Sequence, residues 1–124
     1  MEESKALGFH TILDLYECNK LMLNDAQSLE RIMLEAAELA QATIIKSHFH
    51  QFSPQGVSGS VIISESHFNI HTWPEFSYAA IDLFTCNSEM SSELAVKFIV
   101  EKLESKRHNI NLLQRGMDYR AFKK

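Results

Sequence analysis

Residues 61–71 read Val61-Ile62-Ile63-Ser64-Glu65-Ser66-His67-Phe68-Asn69-Ile70-His71, and this stretch decides the predicted fold. It reads as a β-hairpin with Glu65-Ser66 as the two loop residues, so that Ser60 lies opposite His71 and Ser58 opposite Trp73. Residues opposite one another share a face of the sheet. The hairpin therefore has one apolar face, with Val61, Ile63, Phe68 and Ile70, and one polar face, with Ser58, Ser60, Ser64, His67, Asn69, His71 and Trp73.

The loop of this hairpin has unusual residues. Two-residue hairpin loops favour Gly or Asn, because the tight turn types need positive φ angles. Glu65-Ser66 offers neither residue. We therefore expect a strained peptide bond or a looser loop at this position.

The rest of the chain predicts the order β-α-β-β-β-β-α-β from its apolar spacing and its cap and turn residues. Two helices cover only one face of a sheet of that size, so we predict an α+β, two-layer sandwich with a mainly antiparallel sheet. The other face is then open to a ligand or a partner, and Cys86 falls on the same side as the histidines. The predicted strands are Gly8–Tyr16, Thr43–Phe49, Ser60–Ser64, His67–Trp73, Tyr78–Cys86 and Asn109–Leu113; one helix follows Asn24 or Asp25, and the other carries Leu94, Ala95, Phe98, Ile99 and Leu103.

Length and charge limit the possible functions. The 124 residues predict a single domain, 1–124, with 115–124 as a flexible tail. The net charge is −4, and all 12 Lys and Arg residues lie outside Ser47–Val96. A segment without cations argues against a Walker-type phosphate site or a nucleic-acid track, and it favours a cationic ligand. No signal-peptide pattern or long apolar run is present, so we expect a cytoplasmic protein that does not bind membranes.

Three interpretations of the central residues stay open at this point. His48-x-His50, with His67 and His71, has the spacing of a metal site on a strand face. The same residues also fit ordinary hydrogen-bonded strand histidines.

The third interpretation is self-processing at Ser66. The Ser66 hydroxyl attacks the carbonyl of Glu65, and elimination from the resulting ester leaves dehydroalanine, which hydrolyses to a pyruvoyl group. A terminal ketone is an electron sink that needs no lysine, so this chemistry is compatible with a segment that lacks lysine, whereas a pyridoxal phosphate site is not.

The central block resembles one family closely. It reads Ser64-Glu65-Ser66-His67-x-x-Ile70-His71-Thr72-Trp73-Pro74-Glu75, after Phe52-Ser53-Pro54-Gln55-Gly56-Val57-Ser58-Gly59 and before Tyr78-Ala79-Ala80-Ile81-Asp82-Leu83-Phe84-Thr85-Cys86. This ordered set is similar to the S-adenosylmethionine decarboxylase proenzymes of bacteria and archaea, from about Leu7 to Arg115.

The resemblance implies a role for each matching residue. Cleavage between Glu65 and Ser66 gives a β chain, 1–65, and an α chain, 66–124, whose covalent pyruvoyl group comes from Ser66 and forms the Schiff base with substrate. Neither a metal nor pyridoxal phosphate is implied, and the family forms homodimers of processed protomers. The remaining implied roles are His71 as proton acceptor in processing, Ser58 as its support, Cys86 as proton donor in catalysis, and Phe52, Trp73 and Glu75 as substrate-binding residues.

We therefore predict a lyase that decarboxylates S-adenosylmethionine and supplies the aminopropyl donor of spermidine and polyamine biosynthesis. One alternative is a pyruvoyl-dependent decarboxylase of arginine or ornithine on the same scaffold. The other is a non-enzymatic metal-binding domain that uses the histidines.

Overall fold

A six-stranded antiparallel sheet with helices on one face forms the protein, as the computed structural model shows for residues 6–64, 66–86 and 92–118. The strand order is β2-β3-β4-β5-β1-β6. The predicted α+β sandwich is confirmed. The strands are β1 (Gly8–Tyr16), β2 (Ile44–Gln51), β3 (Val57–Ile63), β4 (Ser66–Trp73), β5 (Tyr78–Thr85) and β6 (Arg107–Arg115); the helices are α1 (Lys20–Leu23), α2 (Ala26–Leu39) and α3 (Ser92–Lys102), with a 3-10 turn at Pro74–Phe76.

Helix α2 begins where its cap residue predicts. The Asp25 carboxylate accepts a hydrogen bond from the backbone N–H of Ser28 at 3.2 Å, and this bond holds the pKa of Asp25 below its usual value. The apolar residues that follow at helical spacing are buried against the sheet, where they meet the inward residues of the strands. The buried residues of α2 are Leu29, Ile32, Met33, Ala36 and Ala37.

The predicted register of the central hairpin is wrong by two residues. Ser66 is not a loop residue but the first residue of β4, where it pairs with Ile63, and His71 pairs with Ser58 rather than with Ser60. The two predicted faces survive, because a shift of two residues keeps every side chain on the same side of its strand. Phe68 and Ile70 are buried beneath the helices, as predicted.

Strands from the two sides of residue 65 interleave in the sheet. Strands β1, β2 and β3 precede this position, and β4, β5 and β6 follow it. β3 pairs with β4, and β1 lies between β5 and β6. The sequences before and after residue 65 are therefore joined along three of the five strand pairings.

The C-terminal strand is longer than predicted. β6 extends from Arg107 to Arg115, so the expected flexible tail does not include Arg115, which pairs with Gly8. The last six residues of that tail, 119–124, lie outside the described residues. Within the described ranges, no helix is long and apolar enough to cross a membrane.

Candidate active site

The open face of the sheet collects most of the histidines of the chain. Strand pairing places His48 opposite Ser60, His67 opposite Ile62 and His71 opposite Ser58, all on the face away from the helices. His10 joins them from β1, where it pairs with Phe84. The open face thus carries titratable groups beside aromatic rings, whereas the apolar core lies on the helix side. Five of the six histidines lie there: His10, His48, His50, His67 and His71.

Ser66 and Cys86 lie side by side at one end of this sheet. Ser66 begins β4, and Cys86 directly follows β5. The backbone N–H of Cys86 donates a hydrogen bond to the Ser66 hydroxyl at 3.2 Å. Glu65 lies outside the described residues, so the expected strain in the Glu65–Ser66 bond stays a prediction.

Ser58 and His71 form a second group. The Ser58 hydroxyl lies 2.8 Å from Nδ1 of His71, because the two residues are direct neighbours on β3 and β4. Trp73 is two residues further along β4 and is 40% exposed, and Glu75 is exposed in the 3-10 turn that follows. Phe52, 47% exposed, packs edge-on against His50 at the same end of the sheet.

One chain does not bring these two groups together. His71 is five residues beyond Ser66 on the same strand, which at about 3.3 Å per residue separates their Cα atoms by about 16 Å. Ser66 also has the opposite side-chain alternation from His71. Our expectation that Ser66 acts with Ser58 and His71 therefore requires a component from outside the chain.

A hydrogen-bonded network links His10, Asp82 and His67 next to Ser66. Nε2 of His10 lies 2.8 Å and Nε2 of His67 lies 3.2 Å from the same Oδ2 atom of Asp82. Arg115 approaches Nδ1 of His10 to 3.0 Å. A guanidinium can only donate, so Nδ1 of His10 accepts, and Nε2 of neutral His10 carries the hydrogen that it donates to Asp82.

Sequence reasoning identified neither His10 nor Asp82 as a site residue. Side-chain alternation puts Asp82 on the same face as Cys86, four residues later, but nothing in the sequence specifies that β1 pairs with β5. The predicted metal set His48, His50, His67 and His71 is not the set that assembles. In the described part of the chain, the cluster with metal-ligand geometry is His10, His67 and Asp82, which shares only His67 with the predicted set.

Two further groups have shifted pKa values. Burial and the 2.6 Å hydrogen bond to Asp14 raise the pKa of Tyr78 to about 12. Burial raises the pKa of the Cys18 thiol to about 11, since the hydrogen bond with Ser105 lowers it only in part. No disulfide joins Cys18 to Cys86. Cys18 is thus a core thiol, whereas Cys86 is exposed beside Ser66.

The fold and this face define a class: a small two-layer α+β protein with a serine beside a cysteine at one end and a serine–histidine pair at the other. A family model described as S-adenosylmethionine decarboxylase matches residues 9–116. The chain belongs to the S-adenosylmethionine decarboxylase family.

Individual relatives agree with this assignment. An S-adenosylmethionine decarboxylase proenzyme of Thermodesulfovibrio yellowstonii is 46% identical over 90% of this chain and 83% of its own length. The proenzyme of Caldicellulosiruptor saccharolyticus is 47% identical over 90% of both chains.

Solved structures share the fold. The adenosylmethionine decarboxylase of Aquifex aeolicus superimposes with a TM-score of 0.84 and 33% identity, over 90% of this chain and 92% of the other. A Trypanosoma brucei AdoMetDC monomer, at 16% identity and a TM-score of 0.64, shares the fold alone. It aligns with 92% of this chain and 51% of its own length.

Proposed function

We propose that this protein is a self-processing, pyruvoyl-dependent S-adenosylmethionine decarboxylase that supplies the aminopropyl donor of spermidine synthesis. Family membership supports the activity. The contact between the Cys86 backbone N–H and the Ser66 hydroxyl is the observation that carries the proposal, because it makes the residue that becomes the cofactor a neighbour of a residue whose side chain is a thiol, a possible proton donor. A cytoplasmic location, expected from the sequence, completes the proposal, and cell fractionation tests it.

The residues around Ser66 fit a pyruvoyl group. Ser66 is partly exposed at the start of a strand, and the Cys86 backbone N–H approaches its hydroxyl. When present, the pyruvoyl ketone acts as the electron sink for the electron pair released with CO₂. The Cys86 thiol, a neighbour of residue 66, is the group proposed to donate the proton that replaces the lost carboxyl group.

A second copy of the chain supplies the processing pair. Because Ser58 and His71 lie about 16 Å along the strand from Ser66, we propose a homodimer in which the open faces meet and the sheet end that carries Ser66 lies at the edge of the interface. Ser66 is the first residue of β4, so its hydroxyl can be reached from this end although its side chain alternates toward the helices. The Ser58–His71 pair of each protomer then lies beside Ser66 of its partner. A ligand with a sulfonium cation has hydrophobic and aromatic surface to contact on such a face.

His71 has suitable geometry for a proton acceptor. If its Nδ1–H donates to the Ser58 hydroxyl 2.8 Å away, the lone pair is on Nε2. Nε2 then takes the proton when the Ser66 hydroxyl attacks the carbonyl of Glu65. Ser58 fixes the tautomer and the orientation of the ring, as the resemblance implies.

Phe52, Trp73 and Glu75 are proposed to bind the substrate. All three are exposed near the Ser58–His71 pair. The faces of Phe52 and Trp73 can hold the adenine and the sulfonium cation, and the Glu75 carboxylate can accept hydrogen bonds from the ribose hydroxyls. The absence of Lys and Arg from Ser47–Val96 avoids repulsion of a cationic substrate.

Denaturing mass spectrometry tests the processing step. We expect two fragments, 1–65 and 66–124, with no N-terminal amine on the second. Ser66→Ala should stay a single inactive chain, and Cys86→Ala should cleave but turn over slowly. A wild-type chain that never cleaves would contradict the proposal, and so would an active Ser66→Ala protein.

The substrate is tested separately. CO₂ release should be assayed with S-adenosylmethionine, arginine and ornithine at equal concentrations. We expect release from S-adenosylmethionine only, because the family relatives carry that name. Faster release from arginine or ornithine would assign the protein to the alternative decarboxylase activity.

A further inference from the structure

Cleavage changes how residue 66 is held. In the uncleaved chain, residue 66 is covalently tethered on both sides. After cleavage it is a chain end, and its one backbone bond is to His67. The position of the reactive carbon therefore depends on how firmly His67 is fixed.

His67 is fixed by its backbone and by its side chain. Its backbone lies between β3 and β5, paired with Ile62 on one side and Phe84 on the other. Its ring stacks on Phe84, with centroids 5.6 Å apart and planes at 25°, and its Nε2 bonds to Asp82. A stacked and hydrogen-bonded ring of this kind is restricted in χ1 and χ2.

Asp82 is itself held in place. His10 donates to the same Oδ2 atom, and its ring packs edge-on against Phe84 at 5.4 Å. Arg115 keeps His10 in the tautomer that donates to Asp82. The side chain of Asp82 is 28% exposed and that of His10 is 17% exposed, so the network is partly protected from competing water.

We propose that His67, Asp82 and His10 form a clamp that holds the ketone carbon of residue 66, its Cα atom. The clamp directs the proton from Cys86 to the substrate carbon and away from this ketone carbon. This role rests on the proposed decarboxylase function. The three are positioning residues, because they act through the backbone of residue 66 rather than on the substrate.

Misplaced protonation has a defined product. If the Cα atom of residue 66 receives the proton instead, the ketone of residue 66 is reduced and residue 66 becomes an alanine with a free amine. The substrate amine is oxidised to an aldehyde in the same reaction. The substrate nitrogen stays on residue 66, and CO₂ leaves as before. Formation of the Schiff base releases one water, which carries the ketone oxygen, and hydrolysis consumes one water, which supplies the aldehyde oxygen. No external oxidant is needed, and the α chain is inactivated with an N-terminal alanine.

The experiment measures alanine formed at residue 66 per CO₂ released. His67→Leu removes the hydrogen bond and the stacking, whereas His67→Gln keeps an amide N–H for Asp82. His108→Leu is the matched control, because His108 lies on the opposite face, paired with Leu15. Edman sequencing detects the alanine, since a pyruvoyl terminus has no amine and blocks the first cycle.

We expect His67→Leu to raise the ratio of alanine to CO₂ about tenfold, which corresponds to about 1.4 kcal/mol. His67→Gln should restore most of the wild-type ratio, and His108→Leu should not change it. A residue with a purely structural role would lower cleavage and CO₂ release together and leave the ratio unchanged. An unchanged ratio in His67→Leu would therefore overturn the clamp.

A second variant covers the case in which His67→Leu does not fold. Asp82→Asn keeps the shape of the side chain but removes the charge that accepts both imidazole donors. It should also raise the alanine ratio, and an unchanged ratio would overturn the clamp. Failure of the proposed function is distinguishable, because wild-type protein would then neither cleave nor release CO₂.

Discussion

Mixed dimers provide the sharpest test of a site shared between two chains. Five residues at about 3.3 Å each separate Ser66 from His71 by about 16 Å along β4, whereas a proton acceptor must approach within about 3 Å of the group it deprotonates. Side chains that leave the strand on opposite faces cannot close this gap. Within one protomer, His71 therefore cannot serve Ser66.

The test pairs a Ser66→Ala chain with a His71→Ala chain. In a two-fold symmetric dimer, one site then combines both substitutions and the other combines Ser66 of one chain with His71 of its partner. Neither variant should cleave alone. After co-expression in equal amounts, about half of the dimers are mixed, so about a quarter of all chains should cleave.

Two affinity tags isolate the mixed dimers, and denaturing mass spectrometry identifies the cleaved chain. It should be the His71→Ala chain only. The matched control pairs wild type with a chain that carries both substitutions. Each site of that dimer lacks one group, so its wild-type chain should stay intact. Cleavage of the wild-type chain there, with none in the first pairing, would refute the shared site.

Three smaller predictions concern stability and reactivity. Asp25→Ala should lower the free energy of unfolding by about 1 kcal/mol, because the first turn of α2 loses its cap. Asp25→Asn should keep most of the stabilisation by the cap, and urea denaturation measures both variants. The pKa of Tyr78 is raised from 10.0 to about 12 in the folded protein. The protonated Tyr78 hydroxyl therefore contributes fully to the free energy of unfolding below pH 10, and this contribution is lost as the pH rises toward 12. Tyr78→Phe should remove that alkaline loss in urea denaturation at each pH. Iodoacetamide at pH 8 should modify Cys86 of uncleaved Ser66→Ala well before Cys18, whose pKa is about 11; peptide mapping measures the two rates.

Each of these has a clear contrary result. Equal losses for Asp25→Ala and Asp25→Asn would show that the cap hydrogen bond is not the source of the effect. A wild-type alkaline profile in Tyr78→Phe would remove Tyr78 from the explanation. Equal alkylation rates at the two cysteines would show that Cys18 is more accessible than its burial indicates.

The sequence predicted the faces of the sheet better than its registers. Val61, Ile63, Phe68 and Ile70 are buried as expected, because alternation along a strand depends only on the period of the apolar residues. The pairing of Ser58 with His71 was missed by two residues, since alternation is identical for every even shift. The predicted and the observed pairing both leave two residues between the last paired positions, so only the position of the turn separates them, and Ser64-Glu65-Ser66 has no glycine to mark it.

The candidate site was predicted residue by residue but not as an assembly. Ser66 and Cys86 meet because β4 and β5 are adjacent, a local arrangement that the order of the strands favours. The contact of His10 with Asp82 joins residues 72 positions apart, across a pairing of β1 with β5 that no local pattern encodes. The separation of Ser66 from His71 was visible only once both were placed on one continuous strand.

The interleaving of strands around residue 65 changes what unfolding means after cleavage. The two fragments share three strand pairings, and β1 of the first is enclosed between two strands of the second. In the proposed homodimer, loss of structure then releases four polypeptides instead of the two that an uncleaved dimer releases, so mass action weighs more heavily on the folded state. The melting temperature of the processed enzyme should therefore rise more steeply with protein concentration than that of uncleaved Ser66→Ala.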